Sequence, residues 1–116
     1  MTDTENQLYD LERGFWTEGP EFYIANADDR CLVCFPGLVR VLSRQELSET
    51  VKSGPRWHDV QIQPKAVVEP APGVVVIAYE GSAERGDEGR YHAAVSSGYV
   101  KRNGKWKLAW HQQTPL

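Results

Sequence analysis

Two hydrophobic periods divide the chain at Trp57. Before it, Leu8, Leu11 and Phe15 recur at i, i+3 and i+7, the spacing of one apolar helix face. Thr2-x-x-Glu5 and Thr4-x-x-Gln7 both fit a capping box ahead of that helix, and Gly19-Pro20 breaks it. Pro20 suits the first turn of a second, shorter helix carrying Phe22, Tyr23 and Ile24. Asp28-Asp29-Arg30 then reads as a polar turn. Residues 31–35 and 38–42 read as two short strands around the turn pair Pro36-Gly37. Ser43-x-x-Glu46 is another capping box and starts a third helix with Leu47 and Val51 inward, which Gly54-Pro55 ends.

From Trp57 onward the period is two. Val60 and Ile62 alternate with polar residues, and Pro64 marks a bulge or an edge, because proline cannot donate to a ladder. Turns at Pro70-Ala71-Pro72-Gly73 and Gly86-Asp87-Glu88-Gly89 delimit strands Val74–Ala83 and Arg90–Lys101. Asn103-Gly104, a strong two-residue hairpin signal, leads to a last strand at Lys105–Thr114. Helices first and a meander of long strands afterwards place residues 1–116 in the α+β class as one domain without a linker.

The turns predict a register. Arg102 should face Lys105, so that Tyr99 pairs with Leu108, Ser97 with Trp110 and Val95 with Gln112. An even loop at 86–89 would pair Glu80 with Val95 and Ala78 with Ser97. One sheet face then holds Val74, Val76, Ala78, Glu80, Val95, Ser97, Tyr99, Trp106, Leu108, Trp110 and Gln112. It is rich in large apolar groups and should receive the helices. The opposite face, with Tyr79, His92, Ser96, Gly98, Ala109 and His111, is flat and mixed. Burying it in a two-fold dimer is the expectation. One odd loop or bulge would exchange the faces of a strand.

Composition narrows the function. A hydrophobic fraction of 41%, a charged fraction of 25% and a net charge of −3 are ordinary for a globular protein. No basic run in the chain is longer than Lys101-Arg102, too little for a nucleic-acid footprint or a polybasic membrane anchor. No apolar run approaches the ~20 residues of a membrane span, and the polar, acidic N-terminus is unlike a signal peptide, so a cytoplasmic location is expected. Cys31 and Cys34 have C-x-x-C spacing but lie in an apolar strand, where residues three apart face opposite ways. They read as structural thiols, with neither metal nor redox centre expected.

The terminal segment Gly104-Lys-Trp-Lys-Leu-Ala-Trp-His-Gln-Gln-Thr-Pro-Leu116 resembles the last strand of the nuclear transport factor 2-like superfamily, in particular its SnoaL-like branch. Leu11-Glu-Arg-Gly-Phe-Trp16, Asp28-Asp-Arg-Cys-Leu-Val-Cys-Phe-Pro-Gly37 and Val95-Ser-Ser-Gly-Tyr-Val100 carry the resemblance further along the chain. It implies a cone-shaped, curved antiparallel sheet wrapped on N-terminal helices, a cystatin-like roll with a pocket at its wide end, commonly in a homodimer. Such relatives include ketosteroid isomerase, scytalone dehydratase and polyketide cyclases alongside members that only bind or assemble, so fold does not settle function.

Within that frame, Glu80 stands in an otherwise hydrophobic strand, where a carboxylate would have a raised pKa and could act as general acid or base. Tyr99 could donate its hydroxyl to a ligand oxygen. Trp16, Tyr23, Trp57 and Trp110 could line a pocket for a planar or greasy ligand, with Gln112 orienting it. His92 and His111 are further proton carriers, assigned to the opposite face, and His58 sits near a loop. The expected function is a small-molecule-binding domain with a hydrophobic pocket for an apolar or aromatic ligand. Its enzymatic form would be a cofactor-independent isomerase, dehydratase or cyclase. The alternative from another class, which composition does not separate from it, is a non-catalytic dimeric interaction module with a vestigial cavity.

Overall fold

The computed structural model describes residues 1–116. Helix α1 (Asp3–Thr17) starts at Thr2, whose Oγ1 accepts from the Glu5 amide at 3.1 Å, and α2 (Pro20–Asn26) has its proline in the first turn. Strands β1 (Ala27–Phe35) and β2 (Leu38–Ser43) flank the Pro36-Gly37 turn, with Gly37 at φ 84°. Helix α3 (Arg44–Glu49) carries a complete capping box, Ser43 and Glu46 each bonding the other's amide. Strands β3 (His58–Ala71), β4 (Val74–Glu84), β5 (Arg90–Arg102) and β6 (Lys105–Pro115) follow as a meander. No helix is long and apolar enough to cross a membrane.

The six strands form one sheet in the order β2-β1-β6-β5-β4-β3. The meander is antiparallel, but β1 lies parallel to β6, so the sheet is mixed at that seam. The helices pack on the inner face, α1 across β3, α2 against β6 and α3 against β1 and β2. Gly14 lets α2 lie close on α1, for a Cβ there would stand 2.2 Å from the Phe22 ring. The ~1 kcal/mol that glycine costs inside a helix is thereby offset by packing. The Asp28-Asp29-Arg30 segment is not a turn but the start of β1, because Arg102 bonds Asp28 at 3.0 Å and Arg44 bonds Asp29.

The register departs from expectation in two places. Glu84 pairs with Arg90, so the β4–β5 loop has five residues, and Tyr79, not Glu80, faces Val95. On β6, Tyr99 pairs with Leu108 as expected, but Gly98 already pairs with Trp110. Ala109 is therefore an extra residue, a bulge that flips the strand beyond it. The inner face consequently carries Val75, Ile77 and Tyr79 of β4, Val95, Ser97 and Tyr99 of β5, and Trp106, Leu108 and His111 of β6, all buried. Glu80, Trp110 and Gln112 lie on the outer face instead. There Glu80 is 3.6 Å from Lys65 and 3.5 Å from His92. Trp110 lies over Gly98, where a Cβ would come within 2.3 Å of its ring. Gln112 accepts from Ser96 at 2.8 Å. On β3, Pro64 precedes a register shift on an edge strand, so both readings of that proline hold.

Candidate functional site

Glu12 is the group around which the inner face is arranged. It sits one turn after Leu8 and one turn before Trp16 on the buried side of α1, and it is fully inaccessible to solvent. Its carboxylate has no lysine or arginine partner. Tyr79 donates to Oε1 at 2.6 Å, Ser97 donates to the same oxygen at 2.8 Å, and Tyr99 donates to Oε2. Each is a charge-assisted hydrogen bond, stronger than a neutral one, and together they offset the cost of burying the carboxylate. Burial, reinforced by the nearby Glu12, pushes the Tyr79 and Tyr99 hydroxyls well above the usual tyrosine range, so both remain donors.

A second arm of the network leads outward. Ser97 Oγ lies 2.7 Å from His111 Nδ1, and His111 Nε2 lies 2.9 Å from Gln113 Nε2. Tyr91 donates to Gln113 Oε1 at 2.9 Å. Since the Ser97 proton is committed to Glu12, His111 must donate from Nδ1, and its Nε2 accepts from Gln113. Every donor therefore points one way, from Tyr91 through Gln113, His111 and Ser97 to Glu12. Burial lowers the His111 pKa below its ordinary 6.5, outweighing the Glu12 carboxylate that raises it, so the ring is neutral at pH 7. Glu12 and His111, 3.6 Å apart, are the metal-ligating types in this cluster, and no third joins them.

His111 is also part of the floor of a cavity of about 240 Å³, where it meets buried Tyr23, Val33, Leu42 and Leu108. The cavity opens between α1, α3 and the segment after α3, past the partly exposed Val51, Arg56, Trp57 and Arg85. Arg56 Nε donates to Glu18 O at 2.7 Å and Nη2 to Phe15 O at 2.6 Å, closing the C-terminus of α1, which has no basic residue in its own last turn. The same Nη2 donates to Tyr23 at 3.0 Å. Burial pushes the Tyr23 hydroxyl up to about 12, with Arg56 working against it.

The structure brings Trp16, Tyr23 and Trp57 to one cavity and separates them from the other candidates. Tyr99 is buried but turned to Glu12. Glu80, Trp110 and Gln112 are on the far side of the sheet. Sequence reasoning passed over Glu12, Arg56, Arg85 and Gln113, and placed His111 on the outer face. The signal for Glu12 was present: a carboxylate at i+4 from Leu8 and i−3 from Phe15 lies within the apolar stripe. Cys31 is buried and Cys34 exposed, the divergence that strand geometry requires. Burial, with Glu12 and Asp28 nearby, pushes the Cys31 thiol up to about 12 and makes it unreactive.

Two outcomes follow. Tyr99→Phe removes a donor from a buried carboxylate and should cost about 1.5–3 kcal/mol. Glu80→Gln, on a half-exposed surface pair, should change stability by less than about 0.5 kcal/mol. Denaturant midpoints of the two variants compare them directly. The second concerns pH. His111 has a lower pKa folded than unfolded, so the unfolded chain binds more protons near pH 6. The stability His111 contributes is present above about pH 6.5 and is lost as the pH falls through and below it. His111→Gln should flatten that acid limb in thermal melts between pH 7.5 and pH 5, values chosen to span roughly the histidine range. An unchanged slope would contradict the assignment.

No protein-family model matches the chain, and no curated protein matches it. Solved structures do. The chain is similar to an NTF2-like protein of unknown function in nutrient uptake from Rhodospirillum rubrum, with a TM-score of 0.83 at 12% identity over 99% of both chains. It is similar to a ketosteroid isomerase-like protein from Erwinia carotovora atroseptica, with a TM-score of 0.76 at 18% identity, covering 97% of this chain and 92% of that one. It is also similar to the association domain of C. elegans CaMKII, with a TM-score of 0.71 at 16% identity and the same two coverages. At such identities the likeness is one of fold: N-terminal helices on a six-stranded curved sheet give this chain the nuclear transport factor 2-like fold.

Proposed function

We propose that the chain is a small-molecule-binding domain that takes a compact apolar or aromatic ligand into the cavity floored by His111. The observation that carries this reading is the junction of two unlike environments at one residue. On one side of His111 lies an apolar space of about 240 Å³; on the other lies a hydrogen-bonded path ending on a buried carboxylate. Apolar walls with a few convergent polar groups are the usual form of a ligand site.

The arrangement is competent for proton transfer. A ligand proton would be taken up at Nε2 once Gln113 gives way, while Nδ1–H stays on Ser97. Glu12, 3.6 Å from Nδ1, would offset the charge that appears on the ring. Returning that proton to a different ligand atom is an isomerisation and needs no cofactor. The general acid–base role expected of Glu80 passes in this reading to His111, with Tyr99 positioning Glu12. The ketosteroid isomerase-like neighbour is consistent with this chemistry without specifying it.

The four tryptophans provide the test. Trp16 and Trp57 line the cavity, whereas Trp106 and Trp110 do not. Titration with 2-naphthol should move the indole N–H signals of Trp16 and Trp57 in proton–nitrogen spectra and leave that of Trp110 in place. Movement of Trp110 alone would put the ligand on the outer face and sink the proposal.

A second reading concerns assembly and rests on the outer face. Ala78, Ala94, Ser96 and Trp110, the last lying over buried Gly98, form a half-buried patch that no helix covers. An interaction domain pairing through this face fits that surface, and the similarity to an association domain supports it. Its membership differs from the sequence expectation, since Tyr79 and His111 point inward. Light scattering should give twice the chain mass of 13.1 kDa at micromolar concentration, and Trp110→Lys should return it to one.

A further inference from the structure

We infer that the ligand of this cavity is an apolar or aromatic acid, an apolar body bearing one anionic group held at the rim by Arg56 and Arg85. The inference rests on the cavity being a ligand site and specifies what that site selects. The chain has 16 acidic and 13 Lys or Arg residues, yet no acidic side chain lines the cavity, while two arginines do. The bias runs against the net charge of −3, so it is not a reflection of the surface at large.

Neither arginine is neutralised in a way that would spend its charge. Arg56 bonds only neutral acceptors, the carbonyls of Phe15 and Glu18 and the Tyr23 hydroxyl, and its Nη1 has no protein partner. Capping α1 accounts for its Nε and Nη2 but not for a second cation on the same rim. Arg85 stacks over the Trp57 ring, 4.3 Å from its centroid, and touches exposed Glu88 through Nε at 3.2 Å, leaving both Nη groups unbonded. An exposed pair of that kind is weak and readily exchanged for another anion. The free Nη1–Nη2 edge of the planar Arg85 guanidinium fits a carboxylate bidentately. The apolar part of the ligand would then lie against Trp57 and Leu108, with its far end at neutral His111 and Gln113.

A matched pair of probes separates this inference from the reading beneath it. 2-Naphthoate and 2-naphthamide share a skeleton and differ in charge at neutral pH. With the Trp16 and Trp57 indole signals as readout, 2-naphthoate should bind about tenfold more tightly, the worth of one charge-assisted hydrogen bond at a partly exposed site. The preference should shrink as salt rises, and Arg85→Gln should bring it toward unity. Arg56→Gln should do the same, its fold checked by thermal melt because Arg56 also closes α1. Equal binding of both probes, or a preference untouched in Arg85→Gln, would overturn the anion inference while the cavity reading stands. Failure of both probes to move either indole would overturn the two together.

Discussion

A carboxylate buried without a cation is the constraint on which the rest of this structure depends. The Glu12 carboxyl on α1 can be buried in the core only if both oxygens are supplied with donors, and those donors come from β4 and β5, more than sixty residues away in sequence. Helix and sheet are thereby fixed in azimuth as well as in depth. A turn of α1 about its axis would withdraw Leu8, Phe15 and Trp16 together with Glu12, since all four share one stripe, and would add the loss of a stranded carboxylate, several kcal/mol, to the lost apolar burial. Hydrophobic burial brings α1 to the sheet; the hydrogen bonds to Glu12 select one way of seating it. Trp16 Nε1, donating to the Tyr79 hydroxyl at 2.9 Å, extends the same lock by a further turn of the helix.

That constraint also explains how the cavity persists. Helices α2 and α3 have seven and six residues, too short to cover the end of the sheet that α1 leaves open. Filling the gap would require β6 to turn an apolar side chain inward at the position His111 occupies. The bulge at Ala109 presents His111 there instead, and Ser97 and Gln113 hold its ring at both nitrogens. A residue tethered on both edges cannot collapse into the space beside it. The polar network thus holds the floor of the cavity in place, and the capped end of α1 with Arg56 holds part of its rim.

The elements were largely legible in the sequence because they are set by local chemistry. The capping box at Ser43, Pro20 in the first turn of α2, the Pro36-Gly37 turn and the Asn103-Gly104 hairpin each announce themselves within a few residues, and each stands where it was expected. The faces of the long strands were not legible, because they depend on parity. A five-residue loop between Glu84 and Arg90 turned β4 over, and one extra residue at Ala109 turned over the end of β6. Val95, Ser97, Tyr99 and Leu108, which lie between these two events, were placed on the correct face. Glu80 and Gln112, which lie beyond them, were not. The error fell on the candidate site because the site is assembled from strand ends, where accumulated register matters most.

Polarity along the cavity follows from the same arrangement. The negative group that organises the core lies behind the floor, screened by three hydroxyls and separated from the cavity by a neutral imidazole. The positive groups lie at the mouth, Arg56 fixed by helix carbonyls and Arg85 by the Trp57 face. The ligand inferred for this cavity would be oriented by this field before any contact forms at the floor, its anionic end toward solvent and its neutral end toward His111. Within walls that are mostly apolar the field is less screened than in water. In the proposed reading, orientation and proton transfer are therefore not separate. The rim would determine which ligand atom reaches Nε2, and the Glu12 carboxylate behind Ser97 would work against the burial that disfavours a proton there.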